Sequence, residues 1–347
     1  MGGLSDIRQN ANPAFLKKNQ LDDKKPEGYV YASYGPVKYL KDAVVSAFTL
    51  RKYDRVRPIA LVCCDEHRET LESLHFDHPF DLIIGMDPAH QSIVGFKHNL
   101  HHYMPFQRNL YLDSDMIWCR HPDNAWLSLK PYPYTITGQE SADVFFGSHK
   151  NIGIVLDILL FRRQRTLKKF GLSYLARVQT GIIYAADPEV TRQVNQLASD
   201  MLNRKKDTHF ISRKREKGRS LESCEWSLGM AVSKMNLYVY PWFNAHESIQ
   251  LDYIHHLTKA NSDFTTVTCK YFCNPFIHSL RGIKSNAIRK LLFGLFRILP
   301  RSNDHIWVTP YVIHFGWKHQ KQWFDTFASR EWKKLNKKQP IGDHTSL

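Results

Sequence analysis

Two aspartates separated by one residue, Asp113 and Asp115, interrupt the apolar run N-L-Y-L-D-S-D-M-I-W at 109–118. Side chains two apart on an extended chain project to the same side, so both carboxylates can face one cation. Carboxylate oxygens are hard ligands that suit Mg²⁺ or Mn²⁺, and such an ion neutralises a diphosphate. The alternative is a strand-to-loop turn in which Asp and Ser side chains bond to their own backbone. The D-x-D pattern alone leaves both interpretations open.

The elements around these aspartates predict an α/β fold. Apolar runs at 28–34, 58–64 and 81–85 alternate with stretches of helical spacing, which is typical of a doubly wound parallel sheet. Ligands of such sheets bind beyond the carboxyl ends of the strands, and the D-x-D lies at such an end. A later run, T-P-Y-V-I-H-F-G-W-K at 309–318, is expected to close the sheet and to bring His314 to the same edge. An imidazole is an acceptable third ligand for Mn²⁺, whereas a packed or surface histidine is the alternative.

Composition describes a folded, basic protein. The chain has 347 residues, 43% of them hydrophobic, and a net charge of +15, which excludes overall disorder and favours polyanionic partners. None of the six cysteines forms a C-x-x-C pair, so we expect reduced thiols rather than a zinc site or a disulfide framework. No signal peptide or spanning segment is recognisable, which predicts a cytoplasmic protein, peripheral at a membrane if it binds one.

Six short motifs occur in a characteristic order. They are G-Y-V-Y-A-S-Y-G (28–35), F-K-H-N-L-H-H-Y (96–103), Y-L-D-S-D (111–115), Q-T-G-I-I-Y (179–184), E-W-S-L (225–228) and I-H-F-G-W-K (313–318). Together they resemble the GT-A nucleotide-sugar glycosyltransferases, most of all the glycogenin and lipopolysaccharide galactosyltransferase group, over roughly 28–320. The resemblance implies an α/β fold of GT-A type: a doubly wound mixed, mostly parallel sheet flanked by helices, with an irregular C-terminal lobe.

This resemblance also divides the chain. Residues 1–27 are expected to form a polar tail, 28–130 the nucleotide-binding half, and 131–320 the donor and acceptor half of the same domain. A C-terminal helix and tail are expected at 321–347.

The resemblance assigns roles residue by residue. It implies metal ligation by Asp113, Asp115 and His314. It implies donor binding by Tyr31, Ala32, Ser33, Tyr34, Lys97, Asp113, Ser114, Asp115, Gly316 and Lys318. It implies catalytic roles for Gln179, which replaces the family's Asn, and for Glu225, which replaces an Asp near the anomeric centre and is followed by Trp226 rather than Gln.

The function so implied is transfer of a sugar from a nucleotide-diphosphate sugar, a UDP-sugar, to a glycan or lipid-linked acceptor, with retention and with Mn²⁺ or Mg²⁺. One alternative is a sugar nucleotidylyltransferase, although its usual Gly-rich, Arg-containing loop is replaced here by A-S-Y-G-P-V-K-Y at 32–39. Another is a basic protein with a degenerate site that binds polyanions or anionic membranes.

Basic residues concentrate at 161–170, 213–219 and 284–301. In the last stretch Ile, Leu and Phe alternate with Lys and Arg, which indicates a basic amphipathic helix at an anionic membrane surface or a core helix with solvated ends. Nucleic acid is an unlikely partner because no zinc finger, RNP pattern or P-loop accompanies the charge.

Overall fold

The computed structural model describes residues 26–142, 159–212, 223–242, 244–272, 285–297 and 305–337. Its strands are β1 (Glu27–Ser33), β2 (Ile59–Cys63), β3 (Leu82–Gly85), β4 (Arg108–Leu112), β5 (Met116–Trp118), β6 (Tyr134–Gln139), β7 (Arg177–Ala185), β8 (Val239–Pro241), β9 (Gln250–Asp252), β10 (Thr258–Ala260), β11 (Val267–Phe272), β12 (His305–Val308) and β13 (Val312–His314). Its helices are α1 (Lys38–Arg51), α2 (Asp65–Glu72), α3 (Ile93–His98), α4 (Asp123–Leu129), α5 (Arg162–Phe170), α6 (Pro188–Asn203), α7 (Glu225–Lys234), α8 (Asn286–Arg297) and α9 (Lys321–Lys337).

The central sheet has seven strands in the order β3-β2-β1-β4-β7-β6-β8. All of its neighbouring pairs are parallel except the two made by β7, which runs against β4 and β6. Because β7 is reversed, the residues at its start meet the residues that follow β4. This sheet and its flanking helices confirm the predicted fold class.

Local sequence explains where the elements begin and end. All five residues of β2 are buried, as expected for an inner parallel strand. Gly35 adopts a positive φ of 74°, which turns the chain between β1 and α1. The Asp187 side chain accepts hydrogen bonds from two backbone N–H groups and caps α6, whereas α5 ends at Gly171 with φ 61°.

A hydrophobic core covers each face of the central sheet. One core joins β1, β4 and β7 to α3, α6 and α7, with Phe96, Tyr111 and Trp226 among its largest side chains. The other joins the opposite face to α1 and α4 and contains Tyr29, Tyr31 and Trp126. Alternate residues of β1 therefore belong to different cores.

The apolar run at 109–118, which the sequence suggests is a single strand, forms two strands in two sheets. The chain leaves the central sheet after Leu112 and resumes as β5, and Asp113, Ser114 and Asp115 form the break. The expectation that 309–318 closes the central sheet is wrong, because β13 lies in a three-stranded sheet of order β5-β13-β9. The lobe expected to be irregular also contains the antiparallel sheet β10-β11-β12.

These small sheets and α9 share a third core, which includes Phe315 and Phe324. In the described parts of the chain, no helix is both long and apolar enough to cross a membrane. Cys63, Cys64, Cys119 and Cys224 are buried free thiols. Residues 1–25 of the predicted tail, the basic loop at 213–219 and the ends of the 284–301 stretch lie outside the described residues. The division into halves at residue 130 stays a prediction.

Candidate active site

Asp113 is the first residue after β4, at the carboxyl edge of the central sheet. Its backbone N–H donates to the Gly181 carbonyl at 2.9 Å, which ties the break between the two sheets to β7. Its carboxylate accepts from Lys97 Nζ at 2.8 Å and from the Tyr111 hydroxyl at 2.7 Å. Both donors bond to Oδ1, and the other oxygen, Oδ2, faces His314.

Lys97 is a buried ammonium group that orients Asp113. It lies in α3 and also donates to the Thr180 carbonyl at 2.8 Å and to the Thr180 hydroxyl at 3.1 Å. Burial alone lowers the pKa of Lys97, but the charge of Asp113 outweighs this effect and raises the pKa above its usual value. Lys97 is therefore charged and fixed by three bonds.

Asp115 is a buried carboxylate between two cationic groups. Lys321 Nζ, at the start of α9, lies 2.9 Å from its Oδ2, and His314 Nε2 lies 3.4 Å from its Oδ1. Burial raises the pKa of Asp115, yet the charges of His314 and Lys321 outweigh burial and hold the pKa well below its usual value. The carboxylate is therefore ionised at neutral pH.

His314 is brought to the aspartates by the small sheet. It ends β13 and pairs with Met116, the residue directly after Asp115, in the antiparallel ladder with β5. Its Nε2 lies 3.8 Å from Asp113 Oδ2. Ligand atoms of Asp113, Asp115 and His314 all lie within 4.8 Å of one another. One ion with bonds of about 2.2 Å spans separations of this order, so two carboxylates and one imidazole fit Mn²⁺ or Mg²⁺.

The other ring nitrogen of His314 faces polar groups of β9 and β7. Asp252 Oδ1 lies 3.4 Å from Nδ1, and the Trp317 indole donates to Asp252 Oδ2 at 2.9 Å. The Gln179 amide nitrogen also approaches Nδ1. The Gln179 oxygen accepts from Gln250 Nε2 at 2.6 Å and from the Gly181 backbone at 2.9 Å.

Two glycines make room for these side chains. A Cβ at Gly316 would lie 2.4 Å from His314 Cε1, and a Cβ at Gly181 would lie 2.7 Å from Gln179 Oε1. In both cases a side chain folds back over the residue two positions later. Gly316 therefore leaves space for the His314 ring, whereas the resemblance assigned it to donor binding.

The carboxyl end of β1 differs from the expectation at two side chains. Tyr31 is fully buried on the α1 face with its hydroxyl 3.1 Å from Ser46 Oγ, so it lies away from the Asp113 face and its side chain is not available to a donor. The Ser33 hydroxyl, also buried, lies 2.7 Å from Nδ1 of His67, whose Nε2 contacts the Gly35 carbonyl at 2.8 Å. Both corrections follow from strand alternation, which turns residues 29, 31 and 33 towards one face.

Ala32 and Tyr34 lie on the opposite face of β1 and are partly exposed. Burial and the nearby charge of Asp113 raise the pKa of the Tyr34 hydroxyl. These two residues are therefore the predicted donor contacts of β1 that lie on the side of Asp113.

Two other predicted site residues, Glu225 and Ser114, lie near Lys97 and the aspartates. Glu225 begins α7, and its charge contributes to the raised pKa of Lys97. The neighbouring Trp226 is fully buried and stacks on Phe210 at 4.8 Å between ring centroids, so its large side chain belongs to the core. Ser114 is half-buried between the two aspartates. The roles of Glu225, Gln179 and Ser114 stay predictions.

Sequence reasoning missed Lys321 and Asp252. The lysine expected near the site, Lys318, is exposed, and the lysine that contacts Asp115 is Lys321, three residues later. A second lysine in the same W-K-H-Q-K segment was the available signal. Asp252 follows one apolar residue in a three-residue strand, and nothing in the sequence links it to His314.

Comparisons with known proteins give similarity of structure only. No protein-family model and no curated protein matches the sequence. The solved galactosyltransferase LgtC, in complex with donor and acceptor sugar analogs, is 12% identical, with coverage of 89% of this chain and 99% of that chain and a TM-score of 0.48. The glycosyltransferase GlyE of Streptococcus pneumoniae TIGR4 is 13% identical, with coverage of 90% and 64% and a TM-score of 0.44.

A putative glucose-1-phosphate thymidylyltransferase from Bacillus anthracis is also similar, at 12% identity, with coverage of 62% of this chain and 85% of that chain and a TM-score of 0.35. Because TM-scores below 0.5 at such identities transfer no activity, the function has to be inferred from the residues of the site.

Proposed function

We propose that this chain is a metal-dependent glycosyltransferase that uses a nucleotide-diphosphate sugar, specifically a UDP-sugar. The observation that carries the proposal is the convergence of Asp113, Asp115 and His314 within 4.8 Å at the carboxyl edge of the sheet, next to Lys97 and Lys321. A bound Mn²⁺ or Mg²⁺ would supply charge stabilisation for the departing diphosphate. The acceptor is a glycan or a lipid-linked sugar.

Lys321 and Lys97 have different tasks in this proposal. The Lys321 side chain is 34% exposed, whereas that of Lys97 is 8% exposed and held by Asp113 and Thr180. Lys321 therefore binds the diphosphate and stabilises its developing charge, whereas the resemblance placed Lys318 among the donor-binding residues. Lys97 instead orients the Asp113 carboxylate through its hydrogen bond of 2.8 Å to Oδ1.

The donor sugar lies between β7 and the start of α7 in this proposal. Gln179 orients the sugar or the His314 ring next to it, and Glu225 stabilises positive charge at the anomeric centre. Ala32, Tyr34 and Ser114 contact the nucleoside beyond β1 and β4. Transfer proceeds with retention, as in the group that the motifs resemble.

Donor hydrolysis tests the proposal directly. We expect release of UDP from a UDP-sugar with Mn²⁺, loss of release with EDTA, and recovery when Mn²⁺ is restored. Thermal unfolding with UDP, GDP and CDP identifies the base, because a ligand at 100 times its Kd stabilises by about 2.7 kcal/mol. Proton NMR of the transferred sugar reports retention or inversion.

The same assays separate the alternatives. Exchange of pyrophosphate into a nucleoside triphosphate, without UDP release, would favour a nucleotidylyltransferase. Binding of polyanions that is unchanged by EDTA, with no turnover of any nucleotide sugar, would favour a basic binding protein.

Attachment to an anionic membrane is the second part of the proposal, and α8 supports it. Ile288, Leu291 and Leu295 are 53%, 71% and 57% exposed and recur at spacings of three and four, on one side of the helix. Lys290 is exposed beside them. An apolar side flanked by basic residues binds the interface of anionic lipid.

Vesicle co-sedimentation tests the attachment. We expect binding to phosphatidylserine vesicles, weaker binding to phosphatidylcholine, and loss of binding in Leu291→Glu with Leu295→Glu. Leu127→Glu is the matched control, because Leu127 is 65% exposed on α4. Equal binding of the double variant and the control would exclude α8 as the anchor.

A further inference from the structure

The two nitrogens of His314 face groups of different kinds. Nε2 faces Asp115 and Asp113, the proposed partners at the metal. Nδ1 faces the Asp252 carboxylate and the Gln179 amide nitrogen. A neutral imidazole carries one proton, so the groups around Nδ1 decide which nitrogen is left to bind a metal.

The Gln179 amide favours the His314 tautomer in which Nε2 carries the proton and cannot bind a metal. Its oxygen is already bound by the Gly181 N–H and by Gln250, so its amide nitrogen is the atom directed at His314. An N–H that donates to Nδ1 requires an unprotonated Nδ1, which leaves the proton on Nε2. A metal ligand needs the opposite arrangement, in which Nδ1–H donates to an acceptor.

We propose that Asp252 is a positioning residue that accepts the Nδ1–H of His314 and thereby leaves Nε2 free to bind the metal beside Asp113 and Asp115. The inference rests on the proposed metal-dependent function. Asp252 is suited to this task because it ends β9, which pairs with β13 so that residues 252 and 314 lie opposite each other. The Trp317 indole holds its second oxygen at 2.9 Å, which fixes the carboxylate plane.

Asp252→Asn is the sharpest test because it keeps shape and changes hydrogen bonding. The Asn oxygen would accept from Trp317, and the Asn amide would then present a donor to Nδ1. We expect Mn²⁺ affinity, measured by titration calorimetry without nucleotide, to fall 10- to 100-fold, the usual cost of losing such a partner. Asp263→Asn is the matched control on the same lobe, since Asp263 is half exposed and pairs with Arg330.

A double-mutant cycle separates positioning from simple loss of negative charge. If Asp252 acts through the ring, Asp252→Asn has little further effect on Mn²⁺ affinity in a His314→Asn background. If it acts only through space, the same loss of affinity appears in both backgrounds, which would overturn the inference. Thermal unfolding of each variant establishes that it is folded, and Trp317→Phe, which keeps the carboxylate, should cost less than Asp252→Asn.

A spectroscopic measurement reports directly which ring nitrogen of His314 carries the proton. Ring ¹⁵N shifts of His314 in the Mg²⁺-saturated protein should report a protonated Nδ1 in the wild type and a changed pattern in Asp252→Asn. Wild-type Mn²⁺ affinity in Asp252→Asn would overturn the role of Asp252 alone. Failure of the wild type to bind Mn²⁺ at this site would overturn the metal-dependent function as well.

Discussion

The candidate site has two halves that are built differently. The Lys97 half consists of Lys97, Tyr111, Asp113 and Thr180 and belongs to the central sheet and α3. The His314 half consists of Asp115, Asp252, His314 and Lys321 and belongs to the small sheet β5-β13-β9 and the start of α9. The D-x-D break supplies one carboxylate to each half.

Each carboxylate is paired with its own lysine, but the two lysines differ in exposure. Lys97 is enclosed by the core and fixed by three bonds, whereas Lys321 reaches Asp115 from a partly exposed position. We therefore expect Lys97 to keep its contacts when ligands bind, and Lys321 to be the group that can leave Asp115 for a ligand. The variants below test this division.

The largest effect is expected for Asp115→Asn in the His314 half. The change removes a charge without changing size, and metal-dependent donor turnover should fall at least about 100-fold, more than the loss of a group that only supports a ligand. Turnover is measured across a range of Mn²⁺ concentrations. Asp65→Asn, at a surface aspartate that is 72% exposed, serves as the control. Turnover equal to the wild type at low Mn²⁺ would remove Asp115 from the metal site.

A smaller effect is expected when the two C-terminal lysines are compared. Lys321→Met should weaken UDP binding about 10- to 100-fold, because a bond to a charged group contributes roughly 1.5–3 kcal/mol. Lys318→Met should change it less than about twofold. Calorimetry with UDP and Mn²⁺ measures both. The reverse order of effects would return the diphosphate role to Lys318.

Seating of His314 is tested by Gly316→Ala. A Cβ only 2.4 Å from the ring forces His314 to move, so we expect Mn²⁺ affinity to fall about tenfold, in line with overpacking costs of roughly 1–3 kcal/mol. Gly294→Ala is the control, since nothing lies within 4 Å of a Cβ there and the helix should gain up to about 1 kcal/mol. Unchanged metal affinity in Gly316→Ala would mean that metal binding does not depend on the present position of the His314 ring.

The smallest expected effect is a loss of folding stability at low pH caused by His98, the residue next to Lys97. His98, which follows Lys97 in α3, is buried, lies 2.9 Å from the Ser227 hydroxyl, and has its pKa lowered by burial to about 4. Between about pH 6.5 and 4 the unfolded chain binds a proton that the folded chain does not, so stability falls as pH falls.

Between pH 7 and 5.5 this loss is about 1 kcal/mol, and His98→Gln should abolish it. Denaturant unfolding at both pH values measures the difference, with the exposed His121→Gln as the control. An identical pH dependence in the wild type and His98→Gln would show that the folded protein takes up a proton at His98 after all.

The Lys97 half was largely predictable from the sequence. Apolar runs located β1, β2, β3 and β4, and the signal is clearest for β2, an inner parallel strand whose five residues are all buried. Asp113 and Asp115 stood out as polar interruptions of such a run. Tyr31 and Ser33 were misplaced because the resemblance assigns residues by position and takes no account of which face of β1 each side chain occupies.

The His314 half was only partly predictable. The proximity of His314 to both aspartates agrees with the prediction, but the reason differs, since β13 pairs with β5 outside the central sheet. Strands of three residues such as β9 carry no periodicity, so Asp252 had no local signal. Lys321 was missed because it lies at the start of α9, and no motif spacing links that position to Asp115.

Because β5 pairs with β13, part of the candidate site depends on a strand that is synthesised much later than its partner. Met116–Trp118 leaves the ribosome almost two hundred residues before Val312–His314, its antiparallel partner. Once Thr180 has also been made, the Lys97 half has all of its residues, whereas Asp115 still has neither His314 nor Lys321. Chains are made from the N-terminus at about 5–20 residues per second. A nascent chain therefore contains every residue of the Lys97 half for several seconds before His314 can join the two aspartates.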